Sequence, residues 1–228
     1  VVDILAGTHV AQGILAALYG RAVHGEGALV QVSMLESILD FQFEVLTCFY
    51  NDGQQLPQRG AVNSAHAYIA APYGIYTTND GYIALAMTNI SALAMLLQCP
   101  PLLQYSNSED WFSKRDQIKQ VLANHLLTQP TAVWLQILEQ ADVWCAPVFN
   151  YDALVQQEGY RLLEMELTVH TSSGLAVKTT RCPIRVDEQI LTSAKGAPAL
   201  GEHNAEIDHQ FGLNEALVPA SSTADKTN

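Results

Sequence analysis

The hydrophobic positions of this chain change their period several times, and each change marks an element. From Ala6 to Val23 the residues Val10, Ile14, Leu15 and Leu18 recur at helical spacing, which predicts a helix over 6–23. Gly7, Gly13 and Gly20 are interleaved with Ala11 and Ala17. Glycine costs about 1 kcal/mol against alanine inside a helix, so three of them predict that another backbone comes close. After the turn HGEG (24–27), the run ALVQVSM (28–34) alternates. Val30, Val32 and Met34 point one way and Leu29, Gln31 and Ser33 the other, as a strand requires. A second helix follows over 35–51, with Leu35, Ile38, Leu39, Phe41, Val45 and Leu46 on its apolar side. Helix, strand and helix with short joints read as part of an α/β layer, which a strand ahead of Asp3 would complete.

Residues 52–72 have no period. Gly, Pro, Asn and Ser make them a loop, and loops of this length are usually functional or disordered. YGIYTTNDGYIALAM (73–87) holds two alternating runs around Asn79, Asp80 and Gly81, a strong hairpin signal. A helix at about 90–98 ends at Pro100 and Pro101, and two amphipathic helices are expected at about 110–127 and 131–141. CAPVFN (145–150) reads as a short strand and YDALVQQ (151–157) as a short helix. From Glu164 the pattern turns to β again, with its turn at Ser172, Ser173 and Gly174. A last helix is expected near 204–211, and the small, polar tail over 214–228 is expected to be disordered. There is no internal repeat.

At 228 residues and 49% hydrophobic, the chain can bury a core of one or two domains. Only 15% of residues are charged, which fits a subunit that buries much of itself against a partner. The net charge of −12 comes without any basic cluster, so no nucleic-acid partner is expected. An anionic ligand stays open, because helix N-termini can hold one. Cys48, Cys99, Cys145 and Cys182 are widely spaced, so no metal site is expected; buried free thiols in a reducing, cytoplasmic setting are. No apolar run reaches the length of a membrane span, since SALAMLLQCPPLL is interrupted by Gln98 and two prolines, and no membrane partner is expected. The chain starts without Met or a visible secretory leader, which reads as a processed end or the edge of a fragment.

Candidate chemistry is sparse. There is no Walker loop, no GxGxxG after a strand, no HExxH and no nucleophile elbow. Cys145 lies in an apolar strand and reads as packing. His66 in NSAHAY could be an acid, a base or a ligand contact, or a plain loop histidine. His203 is expected to cap or anchor the closing helix, while His9 and His24 have no obvious partner. Asp3, at a helix start, reads on its own as an acid that serves free amides and the helix dipole. Composition and spacing stop at an α/β protein without an assigned activity.

The motifs go further. Asp3, Gly7, Gly13 to Leu18, Arg21, Gly25, Gly27 and the run Val32 to Ser37 together resemble the opening of the catalytic segment in family III CoA-transferases, of the CaiB/BaiF and formyl-CoA transferase type. AAPYGIYTTNDGYIALAM resembles that family's small-domain hairpin, CAPV the segment leading back to its large domain, and GAPALGEHNAEI its C-terminal signature. The four matches come in the family's order from Asp3 to about Leu213. The resemblance implies an α/β fold: part of a Rossmann-like large domain plus a smaller α+β domain, incomplete because the N-terminal part and most of its CoA-binding segment would be missing. Segment 1–60 would carry the nucleophile helix of the large domain, 61–160 the small domain with its linker, and 161–213 the return to the large domain.

In the family, the acid at the Asp3 position is the catalytic nucleophile. It stands ten positions before Gly13, an offset that resembles the transferase pattern; in the related racemases the offset differs by one. The resemblance thus implies transfer of CoA from an acyl-CoA to a carboxylic acid through an aspartyl-CoA thioester, with the CoA thioester as substrate and no bound cofactor. It also implies an interlocked homodimer. Some members carry a flexible Gly-rich loop over the nucleophile; here the stretch is RGAVNSAHAY, which is not Gly-rich, so Asn63 and His66 become candidates for lining the acyl site, with Met34 a further substrate-binding candidate. Two other readings stay open. One is an acyl-CoA racemase or epimerase with Asp3 as general base beside a histidine; the other is a truncated, non-catalytic interaction subunit.

Overall fold

The computed structural model describes residues 1–63 and 65–213, so the tail expected over 214–228 lies outside the described residues. The chain divides into two units, Val1–Val148 and Phe149–Asn228.

The first unit begins with α1 (Val2–His24), closed by Gly25, whose left-handed backbone lets its N–H reach the Arg21 carbonyl. No residue of α1 is buried, and Ile4, Leu15 and Tyr19 stand in the open. By length and composition α1 is long and apolar enough to cross a membrane. This corrects the expectation that no segment reaches that length: Gly and Ala sustain the apolar average where no unbroken run of large residues exists. A Cβ on Gly13 would lie 2.7 Å from Val30 Cγ1, whereas Gly7 and Gly20 face nothing within 4 Å. The close approach expected of another backbone is not seen; at Gly13 alone a neighbour comes close, and it is the Val30 side chain.

The strand expected over 28–34 is not formed. Val30 and Val32 are half-buried and Leu29 and Gln31 exposed, so the alternation is real, but no strand pairs with this segment among the described residues. Instead Ser33 ends it as the cap of α2 (Met34–Phe41). Its Oγ accepts from the Glu36 N–H at 3.1 Å and donates to the Glu36 carboxylate at 2.5 Å. The Ser33 side chain thereby satisfies the Glu36 N–H at the helix start, and the cap moves Met34 from a strand end to the first helical position. The single helix expected over 35–51 breaks at Gln42 into α2 and α3 (Phe43–Asn51). The Gln42 side-chain amide bonds the Ile38 carbonyl at 3.3 Å, while its backbone N–H turns to Leu39.

A folded core follows the long loop. β1 (Gly74–Thr77) and β2 (Tyr82–Leu85) form the expected hairpin, pairing Gly74 with Leu85 and Thr77 with Tyr82. Tyr76, Ile83 and Leu85 point into the core while Ile75, Thr77 and Tyr82 point out. The chain then runs through α4 (Ile90–Leu96), capped by Asn89, and a 3-10 turn at Pro100–Tyr105. α5 (Asp110–Ser113) and α6 (Arg115–Leu126) replace one expected helix, and α7 (Thr131–Gln140) precedes β3 (Cys145–Pro147), which pairs with β2. Ile90, Leu93, Leu102, Ile118, Leu122, Leu126, Trp134 and Leu138 fill the space over the sheet. Their burial is the main stabilising term of this unit. Asp80 joins the hairpin to α7: one carboxylate oxygen accepts from the Thr131 N–H and hydroxyl, both at 2.8 Å, and so supplies the cap that Pro130 cannot.

The second unit contains α8 (Tyr151–Leu154), capped by Asn150, α9 (Glu158–Leu162), and a hairpin of β4 (Glu166–His170) with β5 (Ala176–Thr180). A two-residue pair, β6 (Arg185–Val186) with β7 (Gln189–Ile190), and α10 (Asn204–Phe211) complete it. Buried Arg181 ties the hairpin ends together by donating to the carbonyls of Glu164, Leu163 and Cys182. His203 occupies the cap position of α10, yet its side chain makes no capping bond, contrary to expectation. Glu202 takes the local role, accepting from the Ala199 N–H at 2.6 Å and Ser172 Oγ at 2.8 Å.

Candidate active site

Asp3 lies in the first turn of α1 and is exposed. No ion pair or side-chain hydrogen bond holds its carboxylate among the described residues. A Cβ on the neighbouring Gly7 would meet nothing within 4 Å, so the space beside that turn is open. The positive end of the helix dipole favours the ionised carboxylate here. Met34, at the start of α2, is also exposed.

The other candidates sit on the long loop. Asn63 is half-buried at a positive φ of 45°, and its carbonyl accepts from Lys119 Nζ at 3.4 Å. His66 Nδ1 accepts from the Tyr68 N–H at 3.2 Å, which leaves Nε2 to carry any ring proton, and Nε2 faces the Glu44 carboxylate at 3.8 Å. Ala65, between the two, lines an apolar cleft of about 380 Å³ on the outer face of the sheet, together with Tyr73, Ile75, Ala84 and Trp144. Of the loop only Ala65 lines the cleft; Asn63 and His66 are not among its lining residues, and Asp3 and Met34 belong to the α1–α2 end of the unit.

Sequence reasoning left His9 without a partner; the structure gives it two. Its Nδ1 lies 3.0 Å from Ser37 Oγ and its Nε2 lies 3.5 Å from Asp40 Oδ2. Serine, histidine and aspartate in a row suggest a nucleophilic triad, but the geometry opposes one. Ser37 is only 1% exposed, and its hydroxyl donates to the Ser33 carbonyl at 2.9 Å. Ser37 therefore receives the His9 N–H and cannot offer its own proton to a base. The constellation fastens α1 to α2. The α1–α2 pairing was legible only as two separate amphipathic helices.

The four cysteines are free, as expected, but only Cys99 is buried; Cys48 and Cys145 are half-buried and Cys182 is exposed. Burial, with Glu139 nearby, pushes the Cys145 thiol up, which disfavours the nucleophilic thiolate. Among the described residues no group of His, Cys, Asp or Glu could hold a metal ion.

The chain matches the model of CoA-transferase family III over residues 1–204, and it belongs to that family. It is 26% identical over 223 residues to the acetyl-CoA:oxalate CoA-transferase of Acetobacter aceti, covering 94% of this chain and 54% of the relative. It is 24% identical to the human alpha-methylacyl-CoA racemase, covering 91% of this chain and 53% of that protein. Among solved structures, Rv3272 from Mycobacterium tuberculosis superposes with a TM-score of 0.69 at 21% identity, covering 90% of this chain and 54% of the other. The chain therefore has the family III fold, and it spans about half the length of the relatives it matches.

Proposed function

We propose that this chain carries the nucleophile-bearing part of a CoA-transferase and that Asp3 is the nucleophile. The observation that carries the reading is a family match beginning at residue 1 with an unengaged carboxylate in the first helical turn. A carboxylate oxygen of Asp3 attacks the thioester carbonyl of an acyl-CoA; the C–S bond breaks and CoA leaves as thiolate. The thiolate then attacks the aspartyl carbonyl of the mixed anhydride. This gives an aspartyl-CoA thioester and frees the donor acid as its carboxylate. An acceptor carboxylate attacks in turn, and the two steps run backwards to deliver CoA to it. Backbone amides at the helix start can stabilise the developing oxyanions. Met34, Asn63 and His66 are the proposed substrate contacts, acyl-CoA and a carboxylic acid the proposed substrates, an interlocked homodimer the proposed assembly, and the cytoplasm the proposed location.

The racemase among the relatives supports a second reading in the same superfamily, with Asp3 removing the substrate α-proton. One experiment separates the two. The polypeptide as its gene encodes it is incubated with an acyl-CoA panel, trapped with hydroxylamine, and mapped by mass spectrometry. A modified Asp3, absent in Asp3→Ala, is expected. No adduct, with exchange of the α-proton into deuterated solvent, would replace the transferase reading by the racemase one.

A further inference from the structure

The first one and a half turns of α6 carry three charged residues that all reach back to the long loop. Arg115 Nη1 donates to the Ala67 carbonyl at 3.1 Å and Nη2 to the Gln58 carbonyl, while the guanidinium lies 4.4 Å over the Phe112 ring. Asp116 Oδ1 accepts from the Val62 N–H at 3.2 Å, and the Asp116 carboxylate also accepts from the Ala61 N–H. Lys119 Nζ donates to the Asn63 carbonyl. Arg115 and Lys119 are 9% and 1% exposed and Asp116 is half-buried, so these contacts are partly shielded from water. A Cβ at position 60 would lie 2.7 Å from Asp116 Oδ1, so any larger residue there would displace the carboxylate that Val62 bonds.

A loop without strands or helices is ordinarily the least stable part of a fold. This one has its backbone bound at residues 58, 61, 62, 63 and 67 to a single helix. Hydrogen bonds to charged groups are about twice as strong as neutral ones, and their strength grows where water is excluded. The electrostatics agree. The Ala61 N–H chiefly, then Val62, Arg115 and Lys119, hold Asp116 below the usual carboxylate range. Burial and then Arg115 lower Lys119, with Asp116 opposing them. The anchored residues include Asn63 and lead to Ala65, a wall of the apolar cleft.

We propose that Arg115, Asp116 and Lys119 are positioning residues that clamp the loop onto α6 through Gln58, Ala61, Val62, Asn63 and Ala67, making Ala65 a fixed wall of the apolar cleft. Its consequence rests on the CoA-transferase reading and on the apolar cleft taking the acyl chain: a fixed wall then keeps water from that chain, so that transfer outruns hydrolysis. The clamp itself is independent of that reading.

The test has two arms. Amide hydrogen exchange is measured on the chain and on Asp116→Ala, Arg115→Lys and Lys119→Met. In Asp116→Ala the Ala61 and Val62 amides are expected to exchange about 10- to 100-fold faster, as the loss of a bond to a charged acceptor implies. The amides of β1 and β2 should keep their rates. Arg115→Lys, which can serve only one of the two carbonyls, should loosen the loop less. Unchanged loop amides would overturn the clamp. Equal acceleration in β1 and β2 would overturn it too, since the charges would then hold the core rather than the loop. In the second arm, the gene-encoded polypeptide with a mapped Asp3 adduct is scored for acyl-CoA hydrolysed per CoA transferred. The ratio should rise several-fold in Asp116→Ala and Lys119→Met; an unchanged ratio with a freed loop would overturn the positioning role. Absence of any Asp3 adduct in the unmodified protein would count against the CoA-transferase reading alone, leaving exchange to decide the clamp.

Discussion

Truncating Leu122 should cost far more than truncating Leu15, although both are leucines on amphipathic helices. Leu122 is 0% exposed, on the face of α6 that packs over the sheet with Ile118 and Leu126. Leu122→Ala removes three buried carbons, worth about 2.4 kcal/mol at roughly 0.8 kcal/mol each. The cavity left behind adds to this, giving a total of about 2–5 kcal/mol. Leu15 is 67% exposed on α1, which buries none of its residues. There the same change forfeits at most about 0.8 kcal/mol of transfer energy, and alanine suits a helix at least as well as leucine. Urea titration of the chain, followed by tryptophan fluorescence, reads the difference, because Trp134 is in the core and Trp111 packs against it. Comparable losses from the two substitutions would refute the reasoning, since α1 would then be stabilised by burial that this structure does not contain. The comparison assumes that the slope of stability against urea is unchanged, which the same titrations check.

Two further outcomes follow from polar contacts of the same unit, one buried and one exposed. Tyr76→Phe should cost about 1–3 kcal/mol in the same assay, because the buried Tyr76 hydroxyl donates to the Pro72 carbonyl at 2.5 Å and its removal strands that acceptor. Asp80 is held below the usual aspartate range, first by the Thr131 N–H, then by the Thr131 hydroxyl and, more weakly, by Thr78. A depressed folded-state value means that its contribution is complete above the usual aspartate pKa and is lost as pH falls through the folded one. Asp80→Asn should therefore flatten the acid limb of the thermal-stability profile and leave its neutral-to-basic limb parallel to the parent's; an acid limb as steep as before would refute the linkage.

The sequence legibly encoded whatever is decided by local period and turn chemistry. The hairpin of β1 and β2 follows from alternation around Asn79, Asp80 and Gly81, and α4 and α7 from apolar spacing between clear breaks. The family motifs likewise placed the chain in its family, because they are strings of residue types that need no coordinates. Segment 28–34 was not legible in the same way. Its alternation is genuine, but a strand exists only if another strand pairs with it, and pairing is not a property of the segment. The break at Gln42 has no Gly or Pro to announce it; it follows from one side-chain amide competing for the Ile38 carbonyl.

The site divides along the same line. The family resemblance, carried by motifs in the sequence, singled out Asp3, and the departure from the family's Gly-rich loop made Asn63 and His66 candidates. Only the tertiary structure revealed that His9 is engaged with Ser37 and Asp40, or that Arg115, Asp116 and Lys119 hold a loop some fifty positions earlier in the chain. On an isolated α6 these three charges read as a solvated helix start, since the periodic pattern records what a residue is and not what folds over it. Burial turned them into anchors, because a charge removed from water is tolerated only where backbone groups replace the lost hydration.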